Sequence, residues 1–379
     1  MYIVGGYCSP WFFNSGKVYH PNVRVIHQEP ESEEVDIPDM FTTNKGDATW
    51  FGLRTIDQLW SLLWKYRGER DRIRIVTGNT AYGIQPVQLI MERQTMMLYI
   101  GRIVHLTELI TDDKSIMARC SVTIQRLRDC VKSLAEAHKK EDEHSSHPPS
   151  VAYEHWQRLA TTEVRNVGSI GGNFYIAREC EFPSDLLVVL ITLGATVKIA
   201  GPTDDSHSIQ ERSMTIMEFL QEEGILDGAN IIYEVKIPIA VRKNVFIRTY
   251  KVSHRPQNSH PIVNGGFSVK VEENRFQDVC IVFGNIAKKI CRMSTTEKWM
   301  QDNCTPTTLA KQLPQLLSAL EEELQSIVIP KKVTTEEFRV DTACNLFFKY
   351  LVKMACVFEL PDWTDLRQVR LGIAHNLQV

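Results

Sequence analysis

The stretch Asn166–Leu187, NVGSIGGNFYIARECEFPSDLL, decides how this chain is read. It gathers Gly168, Ser169, Gly171 and Gly172 into five residues and closes on Pro183, Ser184 and Asp185 ahead of an apolar run. Adjacent glycines permit positive φ and let another group come up against the main chain. Ser169 and Asn173 add polar side chains, and Ser184 or Asp185 is placed to cap the helix that follows. Taken alone, the stretch is either a loop with a helix cap or one wall of a ligand cleft.

Downstream, DLLVVLITLGATVKIAG starts apolar on every side, which predicts a buried helix ended by Gly194 and followed by a strand. ANIIYEVKIPI reads as another strand. Upstream, the strand-like Arg72–Val76 runs straight into a second glycine-bearing loop, Thr77-Gly78-Asn79-Thr80-Ala81-Tyr82-Gly83. Two glycines, an amide and hydroxyls suit a nest whose successive N–H groups point at an anion. A tight hairpin turn is the other reading. The loop holds no Lys or Arg, so a phosphate there would rest on N–H groups and neutral side chains. Neither loop is a G-x-G-x-x-G fingerprint or a P-loop, which argues against a Rossmann nucleotide domain.

Further out, TIDQLWSLLWKYRG predicts a helix with a Thr55–Gln58 capping box and Gly68 as its stop. TIQRLRDCVKSLAEAHKK predicts a second amphipathic helix, and EDEHSSHPPS a charged, proline-containing loop. From about residue 243 come three strand-like runs and then two long helical ones, the pattern of an α+β unit. The expected organisation is an irregular segment over 1–45, a unit over 46–242 split at about 105/106, a unit over 243–360 and a tail over 361–379.

The 379 residues are 43% hydrophobic, enough for a well-buried core. With 43 basic and 46 acidic residues, the net charge of −3 gives no general attraction for nucleic acid or an anionic membrane. No apolar run approaches the roughly 20 residues of a membrane span. The start has no basic region ahead of an apolar stretch, so no signal peptide is expected. Nine scattered cysteines without a C-x-x-C suit reduced thiols in the cytoplasm and offer no recognisable iron–sulfur or zinc motif. His138, His144 and His147 fall in a charged loop and read as solvated.

Taken together, RIVTGNTAYGI and RNVGSIGGN resemble the two FAD loops of the molybdenum hydroxylases, the xanthine dehydrogenase and aldehyde oxidase family. The resemblance continues in order through RTYKVSHR, VFGNIAKKICRMSTTE and EEFRVDTACNLFFKYLVKM, over about residues 50 to 355. It implies a PCMH-type FAD-binding fold of two subdomains followed by an α+β domain with an antiparallel sheet and helices. It also implies that Ile75, Val76, Thr77, Gly78, Asn79, Thr80 and Tyr82 form one wall of an FAD cleft, with the pyrophosphate on the backbone of 75–80. Ser169, Gly172 and Asn173 would line the other wall, Ser184 and Asp185 would reach the cofactor, Ile231 and Ile232 would flank its rings, and Lys251 would lie at the flavin edge.

The chain departs from that pattern at several places. Ile176 stands where the family carries a Thr, Ala81 replaces a frequent acid, and about three extra residues precede the Ser-Asp pair. In SIMARCSVT, Arg119 or its neighbour is bulkier than the family's small-residue turn, and HRPQNSH lacks the dehydrogenases' acidic run.

The function implied is an FAD module that passes electrons to oxygen or a nicotinamide, with iron–sulfur and molybdenum-cofactor domains or subunits as partners. A homodimer is left open, and no dedicated catalytic acid or base is expected. The alternative from another class is a degenerate relative that has lost FAD and serves as interaction partner of a full-length oxidase.

Overall fold

The structure, a computed structural model, describes residues 41–45, 48–81, 94–138, 146–203, 208–226, 229–330, 334–361 and 363. It contains three sheets, and the described helices pack on them.

The first sheet holds β1 (Phe41–Lys45), β2 (Ala48–Gly52), β3 (Ile73–Val76) and β4 (Met96–Tyr99) in the order β1-β2-β4-β3. β1 and β2 are an antiparallel pair, so regular structure starts within the segment expected to be irregular. β4 runs parallel to both β2 and β3. Parallel strands need a crossover, and α1 (Ile56–Lys65) supplies it between β2 and β3. The predicted capping box is present: Gln58 N–H donates to Thr55 Oγ1 and Thr55 N–H to Gln58 Oε1, both at 3.2 Å. Gly68 does not stop the helix. Tyr66 caps it, and Gly68 sits inside a following 3-10 segment, Arg67–Arg72.

The second sheet is antiparallel, with β5 (Leu109–Thr111), β6 (Ser115–Arg119), β7 (Thr196–Pro202), β8 (Ile209–Thr215) and β9 (Ile231–Pro238) in the order β5-β6-β9-β7-β8. Between β6 and β7 lie α2 (Ile124–Ala137), α3 (Pro148–Trp156), α4 (Thr162–Val167), α5 (Ile170–Glu179) and α6 (Asp185–Leu193). A short α7 (Ile216–Gln221) follows β8. The loop expected at 141–150 gives way to a helix at Pro148, because proline fits the first helical positions, where no N–H partner is needed. Residues 139–145, including His144, lie outside the described residues.

The third sheet is the predicted antiparallel meander β10 (Val245–Ser253), β11 (Pro261–Glu272), β12 (Arg275–Gly284) and β13 (Cys291–Arg292). α8 (Ser294–Asn303), α9 (Leu309–Ile327) and α10 (Glu336–Val357) cover it. Phe246, Phe267, Phe283, Phe347 and Tyr350 are buried in that core, and the Tyr350 hydroxyl donates to the Phe246 carbonyl at 2.9 Å.

α6 ties the second and third sheets together. Leu186 through Leu193 are all buried, as an all-round apolar helix requires, and Gly194 ends it at φ 77. Its apolar side chains share one core with Ile247, Cys280 and Val282 of the third sheet. Thr192 lies so close to β11 that a Cβ on Gly266 would sit 1.8 Å from its Oγ1. Because β10 and β11 meet α6 directly, the N-terminus of α6 is held where both units converge.

Candidate functional site

A cleft of about 380 Å³ opens along the end of β3 and the face of α5. That volume lies within the roughly 300–1,000 Å³ common for small-molecule sites.

One wall is the segment from Ile75 to Ala81. β3 and the next described strand, β4, are parallel neighbours, so these two are not joined as a hairpin. Asn79 adopts the left-handed region at φ 53, which asparagine tolerates better than most residues. Its Oδ1 accepts from Arg74 Nη2. Among the described residues, the N–H groups of Gly78, Asn79 and Thr80 donate to no protein acceptor. Successive unclaimed N–H groups at a left-handed turn form a nest for an anion. Gly78 lets the loop lie against the end of α4, since a Cβ there would stand 1.9 Å from the Val167 carbonyl oxygen.

The other wall is α5, and here the expected loop is a helix. Neither Gly171 nor Gly172 has positive φ. Ser169 caps the helix by accepting from Gly172 N–H at 3.1 Å. Ile170 and Gly171 donate to the carbonyls of Val122 and Cys120 at 3.0 and 2.8 Å, and Asn173 N–H to that of Ser169 at 3.1 Å. The helix N-terminus is therefore satisfied within the protein, and its glycines serve closeness instead. A Cβ on Gly171 would lie 2.8 Å from Cys120 Cβ. Gly172 is exposed at the cleft, where a Cβ would approach only Ser169 Oγ.

The Ser184-Asp185 pair divides its work. Ser184 is fully buried and does not line the cleft. Its Oγ caps α6 by accepting from Leu187 N–H and donates at 2.5 Å to Asn173 Oδ1, so it orients a cleft residue from behind. Asp185 lines the cleft. Its Oδ2 is 2.6 Å from Lys251 Nζ, and its Oδ1 accepts from Asn264 Nδ2 at 2.9 Å. Burial pushes the Asp185 carboxyl up from its ordinary value, against the opposing pull of Lys251. The Lys251 side chain is 1% exposed, behind Asp185 and also bonded to the Arg158 carbonyl. It is thus a partner of Asp185 and not part of the cleft surface.

Of the other expected residues, Ile75, Val76, Thr77, Thr80, Ser169, Ile231 and Ile232 all line the cleft, while Tyr82 lies outside the described residues. Ile176 lines it too and packs with Cys180, Ala81 and Phe182, so the inserted segment extends an apolar patch along the cleft. Arg119 is placed elsewhere. It pairs with Glu234 at 2.8 Å over the Tyr233 ring, and its neighbour Cys120 faces the cleft.

Sequence reasoning missed Arg70, Arg74, Cys120, Tyr175, Phe182 and His260 as lining residues. The alternation of RIRIV could have flagged Arg74, since a strand that enters a binding loop carries one face into it. Burial pushes the thiols of Cys120 and Cys180 up to about 12 and about 11, so both are neutral lining groups and not nucleophiles. His260 is pushed down by burial and by Lys251, and its ring meets Phe182 edge-on at 5.2 Å. Among the described residues, no group of three or more His, Cys, Asp or Glu is placed to hold a metal ion. No described helix is long and apolar enough to cross a membrane.

An anion nest, a close-approach glycine wall and apolar flanks fit a ligand that carries both phosphate and flat rings. Residues 43–240 match the family described as "FAD binding domain in molybdopterin dehydrogenase". The chain belongs to this family. Residues 248–354 match "CO dehydrogenase flavoprotein C-terminal domain". FAD is accordingly the cofactor of this fold, and the residues present fit it.

Among curated relatives, the chain is 27% identical over 338 residues to an indole-3-acetaldehyde oxidase of Arabidopsis thaliana, covering 85% of this chain and 23% of that protein. It is 24% identical over 327 residues to a probable aldehyde oxidase 3 of Oryza sativa subsp. japonica, covering 84% and 22%. The chain therefore spans under a quarter of these relatives' length. In fold it resembles a chain of the carbon monoxide dehydrogenase of Hydrogenophaga pseudoflava, with TM-score 0.60, 15% identity and coverage of 81% of this chain and 97% of that one. It also resembles a chain of quinoline 2-oxidoreductase from Pseudomonas putida 86, with TM-score 0.56, 16% identity and coverage of 80% and 95%. These matches favour the FAD module over the degenerate partner.

Proposed function

We propose that the chain holds FAD along this cleft and relays electrons between a molybdenum- and iron–sulfur-bearing unit and oxygen or a nicotinamide. The observation that carries the reading is the facing pair of walls: unclaimed N–H groups at 78–80 opposite the bare backbone of α5. FAD supplies the electron-transfer chemistry when bound; the chain's residues bind, orient and shield it. In this reading the 77–80 nest takes the diphosphate, with the Asn79 and Thr80 side chains beside it. Ile75, Val76, Ile231 and Ile232 give the apolar flanks. Gly172 allows close approach, Asn173 is aimed by Ser184, and Asp185 is held by Lys251 and Asn264 to accept hydrogen bonds from the cofactor.

The proposed units are 46–242 for FAD, joined by β1 (Phe41–Lys45) at the edge of its first sheet, and 243–360 for the flavoprotein C-terminal part, within a cytoplasmic assembly that leaves a homodimer open. The test is reoxidation of the photoreduced, FAD-loaded chain under anaerobic control. Oxygen or NAD should reoxidise the flavin; a flavin inert to both would overturn the relay.

Ile176 gives a separate expectation. It presents an apolar side chain to the cleft where the family has a hydroxyl. One added hydrogen bond is worth on the order of 1 kcal/mol, so Ile176→Thr should tighten FAD binding about fivefold. Titration of flavin fluorescence checks this.

A further inference from the structure

We propose that Phe182 is the aromatic wall of this cleft, stacking on one of the flat rings of FAD while His260 braces it from the C-terminal unit; this rests on the FAD reading above. The apolar flanks given by Ile75, Val76, Ile231 and Ile232 are all aliphatic. A flat ring gains further from another ring, through offset-stacked or edge-on contact.

Among the described residues that line the cleft, the aromatic ones are Tyr175, Phe182 and His260. The Tyr175 hydroxyl is engaged in a hydrogen bond with Gln94. Phe182 has no polar atom to place. It packs on Ile176 and Cys180, as Ala81 of the facing wall does, yet stays only half-buried and on the cleft surface. Its backbone is fixed on both sides. The Phe182 N–H donates to the Ile176 carbonyl at 3.2 Å, and its carbonyl accepts from Ser184 N–H at 2.8 Å. Glu181, just before it, stands at φ 53, a left-handed conformation that side chains of its kind rarely adopt. Strain of this sort persists where the surrounding structure holds it, and ligand sites are where it collects. Here it turns the chain between α5 and α6 so that Phe182 falls on the cleft.

His260 meets the Phe182 ring edge-on, with centroids 5.2 Å apart and planes at 74°. It comes from the connection between β10 and β11, which is fastened before and after it. Gln257 Nε2 donates to the Gln157 carbonyl at 3.2 Å, and Asn285 Nδ2 to the Pro261 carbonyl at 2.5 Å. One unit thus supplies the ring and the other its brace, so this part of the cleft is complete only when both are present.

The flat rings of FAD are its isoalloxazine and its adenine, and riboflavin and ADP tell them apart. The test uses the full chain with Phe182→Ala, Phe182→Tyr and His260→Ala, and thermal melts as a fold control. Each is titrated with FAD, riboflavin and ADP. Loss of one stacked ring predicts that Phe182→Ala weakens FAD, and one of the two fragments, about tenfold to a hundredfold. The other fragment should bind within about twofold of the unaltered chain. Phe182→Tyr keeps the ring and should keep the affinity, and His260→Ala should cost the same fragment about threefold. If Phe182→Ala binds FAD and both fragments like the unaltered chain, the proposal fails. Equal loss of both fragments also overturns it, because the effect would then be structural. Failure of the unaltered chain to bind FAD would instead overturn the FAD reading. The fragments would then still judge Phe182, and a chain that binds neither overturns both.

Discussion

Gly78→Val should reduce FAD affinity by at least about a hundredfold and lower stability by about 3 kcal/mol. The added Cβ would meet the Val167 carbonyl oxygen at 1.9 Å, a backbone atom that cannot rotate away. The loop must lift off the end of α4, and the N–H groups of Asn79 and Thr80 then lose their shared aim. Gly172→Ala is the contrast, because its Cβ meets only the flexible Ser169 Oγ at 3.1 Å. That variant should fold normally and lose no more than about tenfold in affinity, through crowding of the cofactor face alone. Equilibrium unfolding and flavin titration of the two variants check both halves. Equal behaviour of the two would refute the assigned roles.

Lys251→Met should destabilise the chain by about 3–5 kcal/mol at neutral pH, because it leaves the Asp185 carboxylate buried without its cation. The Asp185–Lys251 pair is 2.6 Å long with side chains 10% and 1% exposed, so solvent screens it little. The pH dependence has a definite sign. Burial already raises the Asp185 pKa above its ordinary 3.8, and losing Lys251 removes the pull that opposes it. A folded state that binds the proton more tightly than the unfolded chain loses stability as pH rises from the ordinary carboxylate pKa through the raised one. The defect of Lys251→Met should therefore be full above the raised pKa and shrink as pH falls toward the ordinary value. Adding Asp185→Asn should recover most of the lost stability at neutral pH, since a neutral amide replaces the stranded charge. Urea unfolding between acid and neutral pH measures this. A defect that grows toward acid pH would contradict the assignment.

Local chemistry made much of the fold legible. The Thr55–Gln58 capping box, the αL stop at Gly194 and the alternating strands of the meander are each set by a few neighbouring residues. The misreadings share a cause in groups far apart in sequence. Ser169–Asn173 looks like a flexible loop, yet it is helical because the carbonyls of Val122 and Cys120 take its first N–H groups. Gly171 is small because Cys120 lies against it, a requirement no spacing announces. Within the site, glycines and polar side chains alone leave each stretch open between a turn or helix cap and a ligand wall, and the pairing of the two walls comes from the family resemblance. The resemblance puts Lys251 at the flavin edge, whereas its place behind Asp185 is set by the packing of β10 against α6, which no local spacing announces. Arg74 escaped because it precedes the loop that it serves.

If these two walls hold FAD, the purified protein carries or takes up the cofactor. The most direct measurement is the FAD content of the purified full chain, before and after incubation with excess cofactor and desalting. The protein should be yellow, carry or take up equimolar FAD, and release it on denaturation. A folded, colourless chain that takes up no FAD would contradict it.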